Sequence, residues 1–155
     1  RVSEIGLLIR EPFDSVYARD FRPLVRVAMS LVDDREVAKE VVQDAFTKLY
    51  LRYSRVDSPS AYVRVCVLNG ARQVLRRRRL MRRRPPDREE SDHLEANHVL
   101  DVIRSLPKRQ GDLILLRYDL QLTDVEIAET LNIPLGTVKS AMHRALAQLR
   151  LEVTP

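Results

Sequence analysis

From Pro12 to Leu51 the apolar side chains return at helical spacing, and this pattern more than any other restricts the chain to packed α-helices. A first set comprises Val16, Tyr17, Phe21, Leu24, Val25, Ala28, Leu31 and Val32. Asp33-Asp34 then offers a good N-cap pair, and a second set follows as Val37, Ala38, Val41, Val42, Ala45, Phe46, Leu49 and Tyr50. The pattern breaks over residues 52–59, where Ser58-Pro59 reads as an N-cap followed by proline at the first helical position. A third helix starts there and runs into a tract of arginines. Arg84-Pro85-Pro86-Asp87 is expected to end it, because proline lacks an amide donor and disfavours helix in the residue before it.

The stretch after those prolines is polar and acidic (Asp87, Glu89, Glu90, Asp92, Glu95) and reads as a flexible linker. Helical patterning then resumes. Val99, Val102, Ile103 and Leu106 form one stripe that stops at Pro107, and Leu113 to Tyr118 reads as a compact apolar helix. Thr123-Asp124-Val125-Glu126 is a capping box, with Thr at the N-cap and Glu three residues on. The short helix that it opens turns Ile127, Ala128 and Leu131 inward. Asn132-Ile133-Pro134 makes a tight turn before a last helix, expected from about Leu135 to Leu151. The fold class expected is all-α, with two separately folded modules, residues 1–84 and 96–155, joined by a flexible linker over 85–95.

Composition narrows the function. The chain has 155 residues, 45% hydrophobic and 32% charged, a globular balance. Its four glycines cannot build a Gly-rich phosphate loop. No nucleophile–base pair stands out, and His93 and His98 have no partners at metal spacing, so neither an enzyme, a metal site nor a cofactor is expected. The formal charge is +5 and the pI about 9.7, which favours a polyanionic partner. Nine arginines lie between Arg72 and Arg88 against one acid, Asp87, so the basicity belongs to a single segment, as on a phosphate-tracking surface. Cys66 is the only cysteine, excluding an internal disulfide and suiting a reducing cytoplasm. No apolar run approaches the roughly 20 residues that span a bilayer, so no membrane insertion is expected.

Two helices, the first short, joined by a brief turn with Ile133 plugged between them, are the layout of a helix-turn-helix. If Val138 points inward, Met142, Ala145 and Leu149 follow it. The opposite face then carries Gly136, Thr137, Ser140, His143, Arg144 and Ala147, and no acid occurs between Glu129 and Glu152. Such a helix suits the major groove, where Arg144 can donate to guanine and Ser140 can bond a base or a phosphate.

Several further motifs carry a resemblance. Leu106-Pro107-x-x-Gln110, Leu122-Thr123-x-x-Glu126-Ile127-Ala128, Gly136-Thr137-Val138-Lys139-Ser140 and Arg144-Ala145 closely resemble the C-terminal module of extracytoplasmic-function (ECF) sigma factors. Ala38-x-Glu40-Val41-Val42-Gln43-Asp44-x-Phe46 resembles the core-polymerase-binding helix of that family, and Ala61-Tyr62-Val63 with Asn69 and Arg76-Arg77 resembles its promoter-melting helix. Together they cover nearly the whole chain in the family's order.

The resemblance implies a cytoplasmic factor that recruits RNA polymerase core enzyme to promoter DNA, with an anti-sigma factor as a further partner. It implies that Glu40, Gln43 and Asp44 dock on the coiled coil of the largest polymerase subunit. Arg55, Ser58, Ser60, Tyr62, Asn69, Arg72, Arg76 and Arg77 fall in the part that meets the minus-ten element and captures a flipped base, offsetting a few kcal/mol of lost stacking. Thr137, Lys139, Ser140, His143 and Arg144 match positions that read the minus-thirty-five element. Three residues depart from the family's habit. Tyr62 replaces the usual Trp but still stacks, Gly111 replaces the usual Arg after Gln110, and Ala141 replaces a common basic residue, removing a phosphate contact. Two other readings remain open on the residues alone: a dimeric helix-turn-helix regulator of palindromic sites, and an antagonist that occupies polymerase unproductively.

Overall fold

The computed structural model describes residues 10–82 and 94–154, with the side chains of residues 94–97 outside that description. The expected linker therefore lies outside the described residues except for the backbone at its last two positions, and Arg83, Arg84, Arg88 and His93 lie outside as well. Every described element is helical.

The first module holds three helices. Helix α1, Phe13–Val32, ends where Asp33 adopts a left-handed conformation (φ 51°) and returns its amide to the Met29 carbonyl. Helix α2, Arg35–Arg52, begins at Asp34, whose carboxylate accepts from the amides of Glu36 and Val37 at 3.0 and 3.1 Å. A 3-10 turn, Tyr53–Arg55, leads to helix α3, Pro59–Met81. Proline occupies the first turn of α3 as the sequence suggests, but the Ser58 side chain makes no capping bond. The helix also ends before the prolines are reached. Its last turn stacks Arg76 to Arg79, whose like charges repel, and Leu80 and Met81 stay exposed, so nothing buried holds a further turn.

The second module continues with α4, Leu94–Ser105, and α5, Lys108–Ile114, which widens into a π turn over Leu115–Asp119. This corrects the expected apolar helix over Leu113 to Tyr118. The helix starts directly after Pro107, and its second half is not α. Leu113, Ile114, Leu115 and Leu116 are all buried, which one face of a surface helix cannot achieve; the segment is surrounded, with α7 on one side and α1 on another. Helix α6, Asp124–Leu131, carries the full capping box, and Asn132 closes it in a left-handed conformation before α7, Leu135–Val153.

The two modules meet through apolar residues. Buried residues of both belong to one apolar cluster, with α3 packed on α6, and α1 on α4 and the π turn. The two modules therefore pack on each other, with α1 covering the second side of the α5–π segment and α3 touching both halves.

Candidate nucleic-acid interface

Helix α7 sorts its residues by side. Val138, Ala141, Met142 and Ala145 are buried against α5 and α6. Lys139, Ser140, His143 and Arg144 are exposed on the other edge, with Thr137 half-buried beside them and Gly136 open to solvent. The Ser140 hydroxyl donates to the Thr137 carbonyl at 3.2 Å, a bond that a groove contact can replace at small cost. Ala141, at 6% exposure, is a core residue whose small side chain packs the motif.

The capping box holds the motif's first helix in place. Thr123 accepts the Glu126 amide at 3.2 Å, and the Glu126 carboxylate accepts the Thr123 amide at 2.7 Å. That amide, helped by the Thr123 hydroxyl and by Arg64, keeps the Glu126 carboxyl below its ordinary range.

On α2, Glu40, Gln43 and Asp44 share an exposed edge, while Val41, Val42, Ala45 and Phe46 point into the core. The residues assigned to the downstream element fall into two groups. Arg55 is exposed and Ser58 half-buried, both before α3. Ser60 is already engaged. Its hydroxyl donates to Asp20 at 2.6 Å and accepts from Arg19 at 2.7 Å, and Arg19 in turn pairs with Glu11. Tyr62 is half-buried, near Cys66, whose thiol is pushed up by burial and drawn back by a hydrogen bond with Tyr62 and by Lys48 and Arg52.

Further along α3, Asn69, Arg72 and Arg76 line a cleft of about 480 Å³ with Lys48 and Lys108. Arg77 lines a neighbouring depression with Asp44. Among the described residues no acid lines the larger cleft. Two of these residues are tied to the second module. The Asn69 side-chain oxygen accepts from Lys108 Nζ at 2.8 Å. Arg72 donates from Nε and Nη2 to one oxygen of Asp112 at 2.9 and 2.8 Å, and from Nη2 to the Lys108 carbonyl at 3.3 Å. Burial raises the Asp112 carboxyl above its ordinary range, and Arg72, Lys108 and Arg109 pull it back only in part. Arg64 donates to Thr130 at 3.1 Å, and burial lowers its guanidinium against the pull of Asp20, Glu126 and Glu129. On the far side Arg104 donates to the carbonyls of Ser30 and Leu31, and Ser30 donates to Asp119 at 3.1 Å. Sequence reasoning missed Lys48, Lys108 and Asp112. The unusual Gly111 beside Asp112 was the one signal that pointed there.

Known families divide the chain at the same place as the fold. Sigma-70 region 2 matches residues 16–85 and sigma-70 region 4 matches residues 97–149. The RNA polymerase sigma-E factor of Streptomyces coelicolor is 31% identical over 140 residues, covering 84% of this chain and 79% of that protein. The ECF RNA polymerase sigma factor SigW of Bacillus subtilis is 40% identical over 58 residues, 37% of this chain and 31% of that protein. The chain belongs to the ECF sigma-factor family. Such factors are regulators of transcription initiation and not enzymes. The fold of this sigma factor is also similar to solved ones. The sigma factor RpoE in complex with the anti-sigma factor NepR from Bartonella quintana aligns with a TM-score of 0.66 at 18% identity, covering 91% of this chain and 96% of that one. CnrH in complex with the cytosolic domain of CnrY aligns with a TM-score of 0.70 at 23% identity, covering 90% and 85%. No helix among the described residues of the sigma factor is long and apolar enough to cross a membrane.

Proposed function

We propose that this sigma factor acts in the cytoplasm, binding core RNA polymerase through the exposed α2 edge of Glu40, Gln43 and Asp44 and directing initiation at promoters with two elements. The loop before α3, with Tyr62, Asn69, Arg72, Arg76 and Arg77, meets the opened minus-ten strand. Thr137, Lys139, Ser140, His143 and Arg144 of α7 read the minus-thirty-five element in the major groove. The observation that carries this reading is the α7 edge: cationic and hydrogen-bonding side chains without an acid, behind a fully capped short helix. A free acid there would repel phosphate; a cation-only edge fits the groove. The solved relatives held by anti-sigma partners support a protein antagonist for this chain as well. Run-off transcription with core polymerase and a promoter library tests the proposal. A product that depends on this chain, from templates sharing two spaced elements, is expected. Core binding without any transcript would point instead to an antagonist.

A further inference from the structure

Cations from three helices meet at the larger cleft beside α3: Lys48 on α2, Arg72 and Arg76 on α3, and Lys108 on α5. We propose that this cleft binds a terminal diphosphate group, held by Lys48, Arg76 and Lys108 and oriented by the side-chain amides of Asn69 and Gln73. The effect on DNA rests on the reading of α3 as the downstream-element helix, since a diphosphate seated there excludes the strand.

Three observations carry it. The first is a surplus of positive charge. Arg72 is matched by Asp112, but that single carboxylate faces Lys108 and Arg109 as well. Lys48, Arg76 and Lys108 form no ion pair among the described residues, and Asp44 borders only the neighbouring depression. Lys108 donates to the Asn69 side-chain oxygen, which cancels no charge and leaves the Asn69 amide nitrogen to donate. The second is the match to one kind of anion. Each phosphodiester link of a strand carries one negative charge, whereas a terminal diphosphate concentrates about three on adjoining phosphorus centres. Three unmatched cations around one cleft suit the denser charge. The Arg76 guanidinium can meet two of its oxygens at once, and the lysines act as point charges. The third is room and placement. The cleft holds about 480 Å³, inside the range of small-molecule sites. A Cβ at Gly70 would lie 3.1 Å from Val41 Cγ1, so glycine there lets α2 lie close on α3 and brings Lys48 to the cleft.

The test is isothermal titration calorimetry on the whole chain, at one moderate salt concentration and without divalent metal. The probes are inorganic pyrophosphate, ADP, GDP and orthophosphate. We expect a single site for pyrophosphate, with orthophosphate weaker by about tenfold, the worth of one hydrogen bond to a charged group. Lys48→Gln and Arg76→Gln remove exposed cations without breaking an ion pair, and each should weaken pyrophosphate by about tenfold. Arg150→Gln removes an exposed cation that lines neither depression, and should change affinity by less than about twofold. If Lys48→Gln or Arg76→Gln loses helix content by circular dichroism, the other decides. A nucleotide that binds no tighter than pyrophosphate identifies the inorganic anion as the ligand, and one that binds tighter identifies a nucleotide; both results support the site. Absence of pyrophosphate binding overturns the proposal, as does orthophosphate binding equally well. Equal losses in all three variants overturn it too, since they would mean general attraction to polyanions. Displacement of a fluorescent single strand by pyrophosphate, read by anisotropy, reports separately on the downstream reading. Binding with the expected variant pattern but no displacement removes that reading and leaves the diphosphate site standing.

Discussion

Arg144 stands on the exposed edge of α7 with no ion-pair partner among the described residues, so its guanidinium is unspent. A bidentate bond to guanine is worth about 1–3 kcal/mol of discrimination. Arg144→Ala should therefore relax preference at the upstream element by about that amount, while affinity for random duplex falls less. Competition binding with specific and random DNA measures the difference; equal losses on both would refute the base contact. At this scale helical spacing was a good guide. It separated the exposed Ser140, His143 and Arg144 from the buried Val41, Phe46, Val138 and Met142. Ala141 lies next to that edge on the wheel, and only the packing of α7 on α5 decides that it turns inward. The Arg72–Asp112 pair was beyond reach, since its partners stand 40 residues apart and neither sits in a local pattern that announces the other.

Elements were read best where a cap or a proline marks them. Thr123 and Glu126 define the start of α6 in the sequence and in the structure alike. Thr123→Ala should cost about 1 kcal/mol of stability by losing the cap. The Glu126 carboxyl is held below its ordinary range, first by the Thr123 amide, so its contribution is present above the ordinary glutamate pKa. That contribution is lost as pH falls through the depressed folded-state value. Melting temperatures of the parent and Glu126→Gln should therefore differ near neutrality and converge in acid, and a gap that persists in acid contradicts the assignment. The π turn over Leu115–Asp119 had no such marker, because a widened ladder leaves no residue signature and arises from burial on every side. The end of α3 makes a different prediction. Arg76, Arg77 and Arg79 are exposed, so replacing all three with Gln should reduce the slope of log affinity against log salt by about three phosphate units. The reduction should be the same on specific and random DNA, and titrations from low to moderate salt would detect it.

At the scale of the molecule the closed packing and the proposed task conflict. Elements named minus ten and minus thirty-five lie about 25 base pairs apart, which at about 3.4 Å per pair is roughly 85 Å. A compact chain of this length has a radius of gyration near 15 Å by the usual scaling, too small to touch both. The residues between Arg82 and Leu94 span roughly 40 Å at full covalent extension, enough for the modules to part without unfolding either. Closure also treats the two readers differently. The α7 edge is exposed in the closed form, whereas Asn69 and Arg72 on α3 are occupied. When only a fraction of molecules is open, apparent affinity falls by that fraction for a ligand that needs the open state and is unchanged for one that does not. Variants that open the molecule, such as Asp112→Ala with Lys108→Ala, should therefore strengthen binding of the downstream single strand severalfold. Their affinity for an upstream-element duplex should stay within about twofold of the parent, since that surface gains nothing from opening. Fluorescence anisotropy with the two oligonucleotides, at one salt concentration, measures both. A parallel gain on strand and duplex would mean that the variants merely raise general attraction to polyanions by removing an acid. Lys108→Ala alone separates these causes, because it lowers the positive charge and frees Asn69 together: tighter strand binding by that single variant follows from unmasking, and from no electrostatic gain.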